Sequence, residues 1–235
     1  MSAEPSQDIY KDGDYLAKNP QWHVEESPWK ADQILRMLER NHLAPKTICE
    51  IGCGAGEVLK QLQQKMDSAC EFWGYEISPQ AFELSRSRTN DKLHFRLREI
   101  GDDADAHFEL VLVLDVIEHL EDYFSFLRKV KLKGDYKIFH FPLDVSVQSV
   151  LRRNGLMKTR NMYAHLHYFT KEIALQILLE TDYDILDYFY TPRSIDLGSE
   201  PTQKILKLPR RLFFAIQQDL AVRILGGFSL LVLTR

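Results

Sequence analysis

The stretch ICEIGCGAGE, Ile48–Glu57, places Gly52, Gly54 and Gly56 within five positions, directly after a short apolar run that carries Glu50. A strand that runs into a glycine turn and then a helix lets a ligand touch the main chain, because glycine has no Cβ to block the approach and tolerates positive φ. Two phosphate-binding patterns fail here. The dinucleotide fingerprint needs a small third residue where Glu57 stands, and the phosphate loop GxxxxGK[ST] needs a lysine and a hydroxyl that do not follow the glycines. Glu50, two residues ahead of Gly52, suits a cationic group instead of a phosphate. Further on, Glu76 ends the next apolar run, EFWGYEI. A carboxylate there can accept charge-assisted hydrogen bonds from both hydroxyls of a ribose. A nucleoside with a positive appendage meets both requirements, and S-adenosyl-L-methionine is such a molecule.

Outward from this loop, short β-type runs alternate with helical patterns. TICEIG, EFWGYEI, LHFRLREI, FELVLVLD and YKIFHF read as strands, with helices expected from about Gly56 to Met66, from Pro79 to Thr89 and near Tyr123–Val130. Near-continuous apolar strands separated by helices predict an α/β fold, a parallel sheet wound on both faces in the Rossmann-like manner. Before the loop, Ser27 and Pro28 read as an N-cap and a first-turn proline for a helix ending near Asn41. After it, Thr170 caps a helix to about Leu179, DYDILDYFY is a strand, one helix is expected through Arg210–Leu225, and FSLLVLT closes the chain. The polar N-terminus, residues 1–28, reads as a tail or lid with Tyr10, Tyr15, Trp22 and His23. Residues 29–235 form the main domain, and residues 144–169 are an insertion on the substrate side. Trp29 is expected in the core.

A chain of 235 residues with 45% hydrophobic and 27% charged residues fits one globular unit. Its net charge of -4 gives no reason to expect nucleic acid. Arg152-Arg153 and Arg210-Arg211 are too short to form a basic patch and read as solvated helix faces. Three cysteines with no CxxC pair suit a reducing, cytoplasmic setting. No stretch approaches the ~20 apolar residues of a spanning helix, and no membrane partner is expected.

CEIGCGAG, GYEIS and LVLVLDVIEHLED resemble, in order and spacing, the successive motifs of the class I S-adenosylmethionine-dependent methyltransferases, particularly the group with ubiquinone-biosynthesis and other small-molecule enzymes. The resemblance runs from about Trp29 to the C-terminus. It implies a seven-stranded sheet, mostly parallel with an antiparallel last strand, and S-adenosyl-L-methionine as cofactor. It places Glu50, Gly52, Gly54 and Gly56 around the methionine and ribose, Glu76 on the ribose diol and Ile77 against the adenine. Glu99, or alternatively Asp102, would meet the adenine amino group, and Asp115 with Val116 would border the sulfonium.

Methyl transfer from a sulfonium is an in-line displacement that rests on positioning and desolvation, with a general base where the acceptor is a hydroxyl or thiol. In DVIEHLED, a helical turn would bring Asp115, Glu118 and His119 together. His119 is the candidate base, oriented by Glu118. The same residues would alternatively order the loop, or hold the divalent cation that some ubiquinone-type relatives bind through an acid-x-x-Glu-His arrangement. No metal is assigned. His140, His165 and His167 read as structural histidines near the ligand edge. FPLD departs from the [DNS]PP[YFW] motif of nucleic-acid amino methyltransferases. The expectation is transfer to a small-molecule oxygen, nitrogen or carbon. The alternatives are a protein methyltransferase, a non-catalytic binder of the cofactor or its demethylated product, and more distantly a dinucleotide oxidoreductase.

Overall fold

The computed structural model describes Trp22, residues 24–198 and residues 201–235, with the side chains of 201–205 outside the description. Tyr10, Tyr15 and His23 lie outside the described residues. Among these residues, the strands are β1 (Thr47–Ile51), β2 (Glu71–Glu76), β3 (Leu93–Leu97), β4 (Phe108–Leu114), β5 (Gly134–Pro142), β6 (Ile185–Thr191) and β7 (Ser229–Thr234). The helices that carry the argument are α1 (Ser27–Arg40), α2 (Glu57–Lys65), α3 (Pro79–Arg86), α4 (Tyr123–Lys131), α5 (Val147–Leu151) and α6 (Gly155–Tyr163). They continue with α7 (Lys171–Glu180), α8 (Arg193–Asp196), α9 (Pro201–Ile216) and α10 (Gln218–Leu225).

The seven strands form one sheet in the order β3-β2-β1-β4-β5-β7-β6. β1 to β5 pair in parallel, and β7 runs antiparallel to both β5 and β6. The expected doubly wound sheet with its antiparallel last strand is therefore present. Winding reverses between β1 and β4, where the loops after these neighbouring strands diverge and leave a crevice at their carboxyl ends. β1 and β4 are apolar and buried because helices cover both faces. One core layer joins Val111, Val113, Phe139 and Val232 to α4 and α7, and the other joins Ile48, Leu110 and Leu112 to α1 and α2.

Four local expectations change. Ser27 is not an N-cap: a 3-10 turn, Val24–Glu26, leads directly into α1, so Ser27 is buried within the first turn and caps nothing. α3 stops at Arg86, short of Thr89. The C-terminal helix is two helices, α9 and α10, broken at Gln217, whose extended φ/ψ of -146° and 85° interrupts the ladder. Trp29 is only half-buried and sits in neither core layer. Its indole N–H donates to Asp196 at 2.9 Å, and its ring meets His140 edge-on. Thr170 does cap α7, accepting from the Ile173 N–H. Residues 144–169 contain α5 and α6, and all three cysteines are free and buried.

Candidate functional site

β1 ends at Ile51, and the loop beyond it turns through Gly52, Gly54 and Gly56 at φ values of 70°, 54° and 75°. All three positions are also closed by neighbours, Gly56 by the Phe95 ring, which a Cβ there would meet at 2.3 Å. A Cβ on Gly52 would lie 2.8 Å from Val116 Cγ2, and one on Gly54 would lie 2.5 Å from the Trp22 indole. Val116 thus supports the turn, and Trp22 covers it. Gly56 is the left-handed N-cap of α2, whose first residue, Glu57, pairs with Arg88 at 2.6 Å. Glu76, at the end of β2, holds the loop in place. Its Oε2 accepts from the Gly54 N–H, and its Oε1 accepts from the Ile77 and Ser78 N–H groups, all at 2.8 Å. Burial raises the Glu76 pKa, while the Ser78, Gly54 and Ile77 N–H groups pull it down.

A charged network lies beside the loop. Asp115 follows β4 with a left-handed φ of 54°, a conformation that aspartate tolerates better than most residues. Its carboxylate pairs with Lys30 Nζ at 2.7 Å and His140 Nδ1 at 2.6 Å, and His140 Nε2 meets Thr191 Oγ1 at 2.9 Å. His140 is therefore buried and satisfied, as a structural histidine should be. Burial works against the Asp115 charge, but His140 and Lys30 outweigh it and hold the carboxyl well below its ordinary range. Burial also opposes the Lys30 charge, yet Asp115, Glu26 and Glu50 raise its pKa. Glu50 on β1 is buried, and its Oε2 has no hydrogen-bond partner among the described residues. Burial, reinforced by Glu76 and Asp115 and opposed by Lys30, pushes its pKa up to about 8.

Because the left-handed Asp115 breaks the backbone before a turn can start, Glu118 and His119 sit on a separate 3-10 turn, Ile117–His119. The expected face of Asp115, Glu118 and His119 does not form. His165 takes the place of Asp115: ligand atoms of Glu118, His119 and His165 lie within 4.8 Å of one another. His165 Nδ1 is 2.6 Å from Asp144 Oδ2, and His119 Nδ1 is 3.3 Å from the Ala164 carbonyl. Since carboxylates and carbonyls only accept, both Nδ1 atoms carry the proton, and in the neutral rings both Nε2 atoms carry a lone pair. Glu118 Oε1 lies 3.8 Å from His119 Nε2, so it does not orient that ring by a hydrogen bond. Fully buried Glu118 has no hydrogen-bond partner for either carboxylate oxygen among the described residues. Burial, with Asp115 and Asp144 nearby, raises its pKa well above the ordinary value.

These groups share one cavity of about 260 Å³, near the lower bound for small-molecule sites. Glu50, Gly52, Gly54, Asp115 and His119 line it, as do His140 and His165. Gly56, Glu76, Ile77, Glu99 and Val116 do not. Ile77 is half-buried beside Glu76, and Glu99 is exposed just beyond β3. Asp103, not Glu99 or Asp102, reaches back to the strands, accepting from the Tyr75 hydroxyl at 2.8 Å and pairing with Arg96. Lys30 and Asp144 had no signal in the sequence. Lys30 falls on a helix whose apolar stripe says nothing of its polar face, and Asp144 meets His165 only through the fold of residues 144–169.

The family model described as a methyltransferase domain matches residues 23–188. Ajmaline N-methyltransferase of Rauvolfia serpentina is 29% identical over 96 residues, which span 37% of this chain and 31% of that protein. The aligned part is thus less than a third of that relative's length. The structure of magnesium protoporphyrin IX methyltransferase from Synechocystis PCC 6803 with bound S-adenosylmethionine superposes with a TM-score of 0.61 at 13% identity, over 100% of this chain and 99% of that one. A plantazolicin methyltransferase in complex with S-adenosylhomocysteine and a monoazolic desmethyl-plantazolicin analogue gives 0.63 at 16% identity, over 97% and 92% of the two chains. These two structures share the fold. The family match covers well over half of the sequence, and the chain belongs to the methyltransferase-domain family, the S-adenosylmethionine-dependent class I group.

Proposed function

We propose that this chain transfers a methyl group from S-adenosyl-L-methionine to a small-molecule acceptor at oxygen, nitrogen or carbon. The observation that carries this reading is the buried Glu50, whose Oε2 has no partner among the described residues, set beside a main-chain-lined glycine turn in the same cavity as His119 and His165. A buried carboxyl poised to ionise fits the ammonium and sulfonium of the donor. Gly52 and Gly54 present main chain to the cavity, and Glu76 retains one lone-pair site for a ribose hydroxyl after accepting three N–H groups. Ile77 and Glu99 would border the adenine, and Asp115 and Val116 the sulfonium. Ajmaline N-methyltransferase and magnesium protoporphyrin IX methyltransferase are named for small-molecule acceptors, which supports the acceptor class.

The donor is already activated, so the protein's work is to align it with the acceptor, exclude water and take a proton where a hydroxyl is methylated. His119 and His165 both turn towards the cavity with an acceptor nitrogen. His165 is the better oriented base, since Asp144 fixes its tautomer through a short hydrogen bond. Were a divalent cation bound, Glu118, His119 and His165 would hold it, and it would polarise the acceptor oxygen as a Lewis acid.

Binding of S-adenosylhomocysteine tests the assignment. Calorimetry is expected to show binding of S-adenosylhomocysteine and none of NAD, and the opposite result would overturn the reading. The affinity has an expected pH dependence. Below about 8 the Glu50 carboxyl of the free chain holds its proton, and a ligand ammonium selects the ionised form. Affinity therefore rises from neutral pH to about 8 and levels off above it. Glu50→Gln removes that slope. Stability of the free chain runs the other way. Between the ordinary 4.5 and about 8 the folded state holds a proton that the unfolded chain has lost, so stability falls as pH rises through that window.

Glu76→Ala is expected to weaken S-adenosylhomocysteine binding by about 1.5–3 kcal/mol, the range for hydrogen bonds to a charged group. Melting temperature falls with it, because the Gly54, Ile77 and Ser78 N–H groups lose their acceptor. Unchanged affinity in the calorimeter would remove Glu76 from the site.

A further inference from the structure

The outer surface of the C-terminal helices runs against the usual rule for a soluble domain. A surface helix normally turns its apolar stripe to the core and its charges to water. On α9, Leu208, Leu212 and Ile216 recur at four-residue spacing and point outward, 76%, 61% and 71% exposed. The inward side holds Phe214, stacked on Phe228, and Arg210, which donates to the Gly226 carbonyl and to Ser194 Oγ. α9 packs on α10, and α10 packs on α5, where Leu151 is 80% exposed. These three helices leave several large apolar side chains in water, more than isolated exposed leucines account for.

The charge of the same region is one-sided. Residues 145–170 contain Arg152, Arg153, Lys158 and Arg160, and residues 201–216 contain Lys204, Lys207, Arg210 and Arg211, and neither segment has an Asp or Glu. In a chain whose net charge is -4, these two segments are therefore locally positive. The two arginine pairs read separately in the sequence as solvated helix faces, but the fold brings Arg152 of one close to Arg210 of the other. Burial and the nearby Arg152 guanidinium both push the Arg210 pKa down. Asp219, the first carboxylate after α9, is engaged by Lys171 at 2.5 Å and by Tyr190.

We propose that the exposed apolar side chains of α5 and α9, with the arginines and lysines around them, form a docking face for an anionic lipid bilayer surface. Leucine and isoleucine enter the headgroup–acyl boundary while cations at the rim meet lipid phosphates, the combination by which amphipathic helices lie on a membrane. No helix among the described residues is long and apolar enough to cross a membrane, so the contact is peripheral. A second copy fits this face less well, because segments with cations and no carboxylates present like charge to each other. A nucleic acid would satisfy the cations and leave the leucines in water. The face lies outside the cavity residues, and its test is independent of methyl transfer.

The test is co-sedimentation of the full chain with phosphatidylcholine vesicles, with and without phosphatidylglycerol, at low and high salt. Binding is expected only where phosphatidylglycerol is present, and it weakens as salt rises. The Leu208→Glu/Leu212→Glu double variant is expected to lose binding, and Arg153→Ala and Arg211→Ala each to weaken it about fivefold. Thermal melts and S-adenosylhomocysteine affinity equal to those of the parent chain establish that the variants are folded. The proposal is overturned if the parent chain stays in the supernatant with phosphatidylglycerol vesicles, or if folded leucine variants bind as well as it does. It is equally overturned if the lipid-free chain is a dimer that the leucine substitutions dissolve, since the face is then covered by a second copy.

Discussion

Asp115→Ala is expected to cost about 3 kcal/mol of folding stability in urea denaturation, the lower end of the range for removing one partner of a buried ion pair. The cost arises from what is left behind. Lys30 keeps only 17% of its side chain exposed, and without Asp115 its ammonium loses its 2.7 Å partner, while His140 loses the acceptor on Nδ1. The lower end applies because Asp115 retains 27% exposure, which lets water screen part of the pair. Adding Lys30→Met to Asp115→Ala should recover part of the loss, since a buried pair replaced on both sides is often nearly neutral. A single-variant cost below about 1 kcal/mol would mean that the pair behaves as a surface contact. The pH dependence has a definite sign. The folded pKa of Asp115 lies well below 3.8, so its contribution is present above the unfolded value and is lost on acidification through the folded one.

His165→Ala is expected to lower kcat/KM for a hydroxyl acceptor by about 10²–10⁴-fold, the usual effect of removing a general base. The readout is S-adenosylhomocysteine formation with any hydroxyl compound that the parent chain methylates. Donor affinity should stay level, because His165 faces Glu118 and Asp144 and makes no hydrogen bond to the glycine turn. Asp144→Asn should lower the rate in the same direction and by less, since the amide can still hold the ring but no longer stabilises an imidazolium. His119→Ala, whose Nδ1 rests on a main-chain carbonyl at 3.3 Å, is expected to cost less than His165→Ala. The reverse ranking would move the base to His119.

Much of the architecture was legible because its determinants are local. Apolar runs such as FELVLVLD, rich in Val and Leu and bounded by polar residues, suit a strand covered on both faces, and the three glycines after β1 mark a turn that side chains cannot enter. That turn and Glu76 are indeed bonded to each other, which their order along the chain suggested only as two ends of one ligand. Helix boundaries were less legible. Ser27 and Gln217 show why: the first depends on a 3-10 turn that precedes it, and the second on a change of direction that the helical pattern does not record.

The side-chain partnerships of the cavity belong to the other category. DVIEHLED suggested a face of Asp115, Glu118 and His119, but a left-handed backbone at Asp115 sends its carboxylate to Lys30 and His140. Glu118 and His119 meet instead His165, which the chain after α6 carries back. The arginine pairs and leucine stripe of the C-terminal helices behaved likewise, each ordinary alone and distinctive only where α5, α9 and α10 pack. The sequence by itself determined the sheet and the glycine turn, because periodic burial and backbone sterics act between near neighbours. Only the tertiary structure decided which charges pair, which histidine is oriented and which apolar face stays in water, because those contacts join residues far apart in the chain whose meeting depends on how the whole sheet is covered.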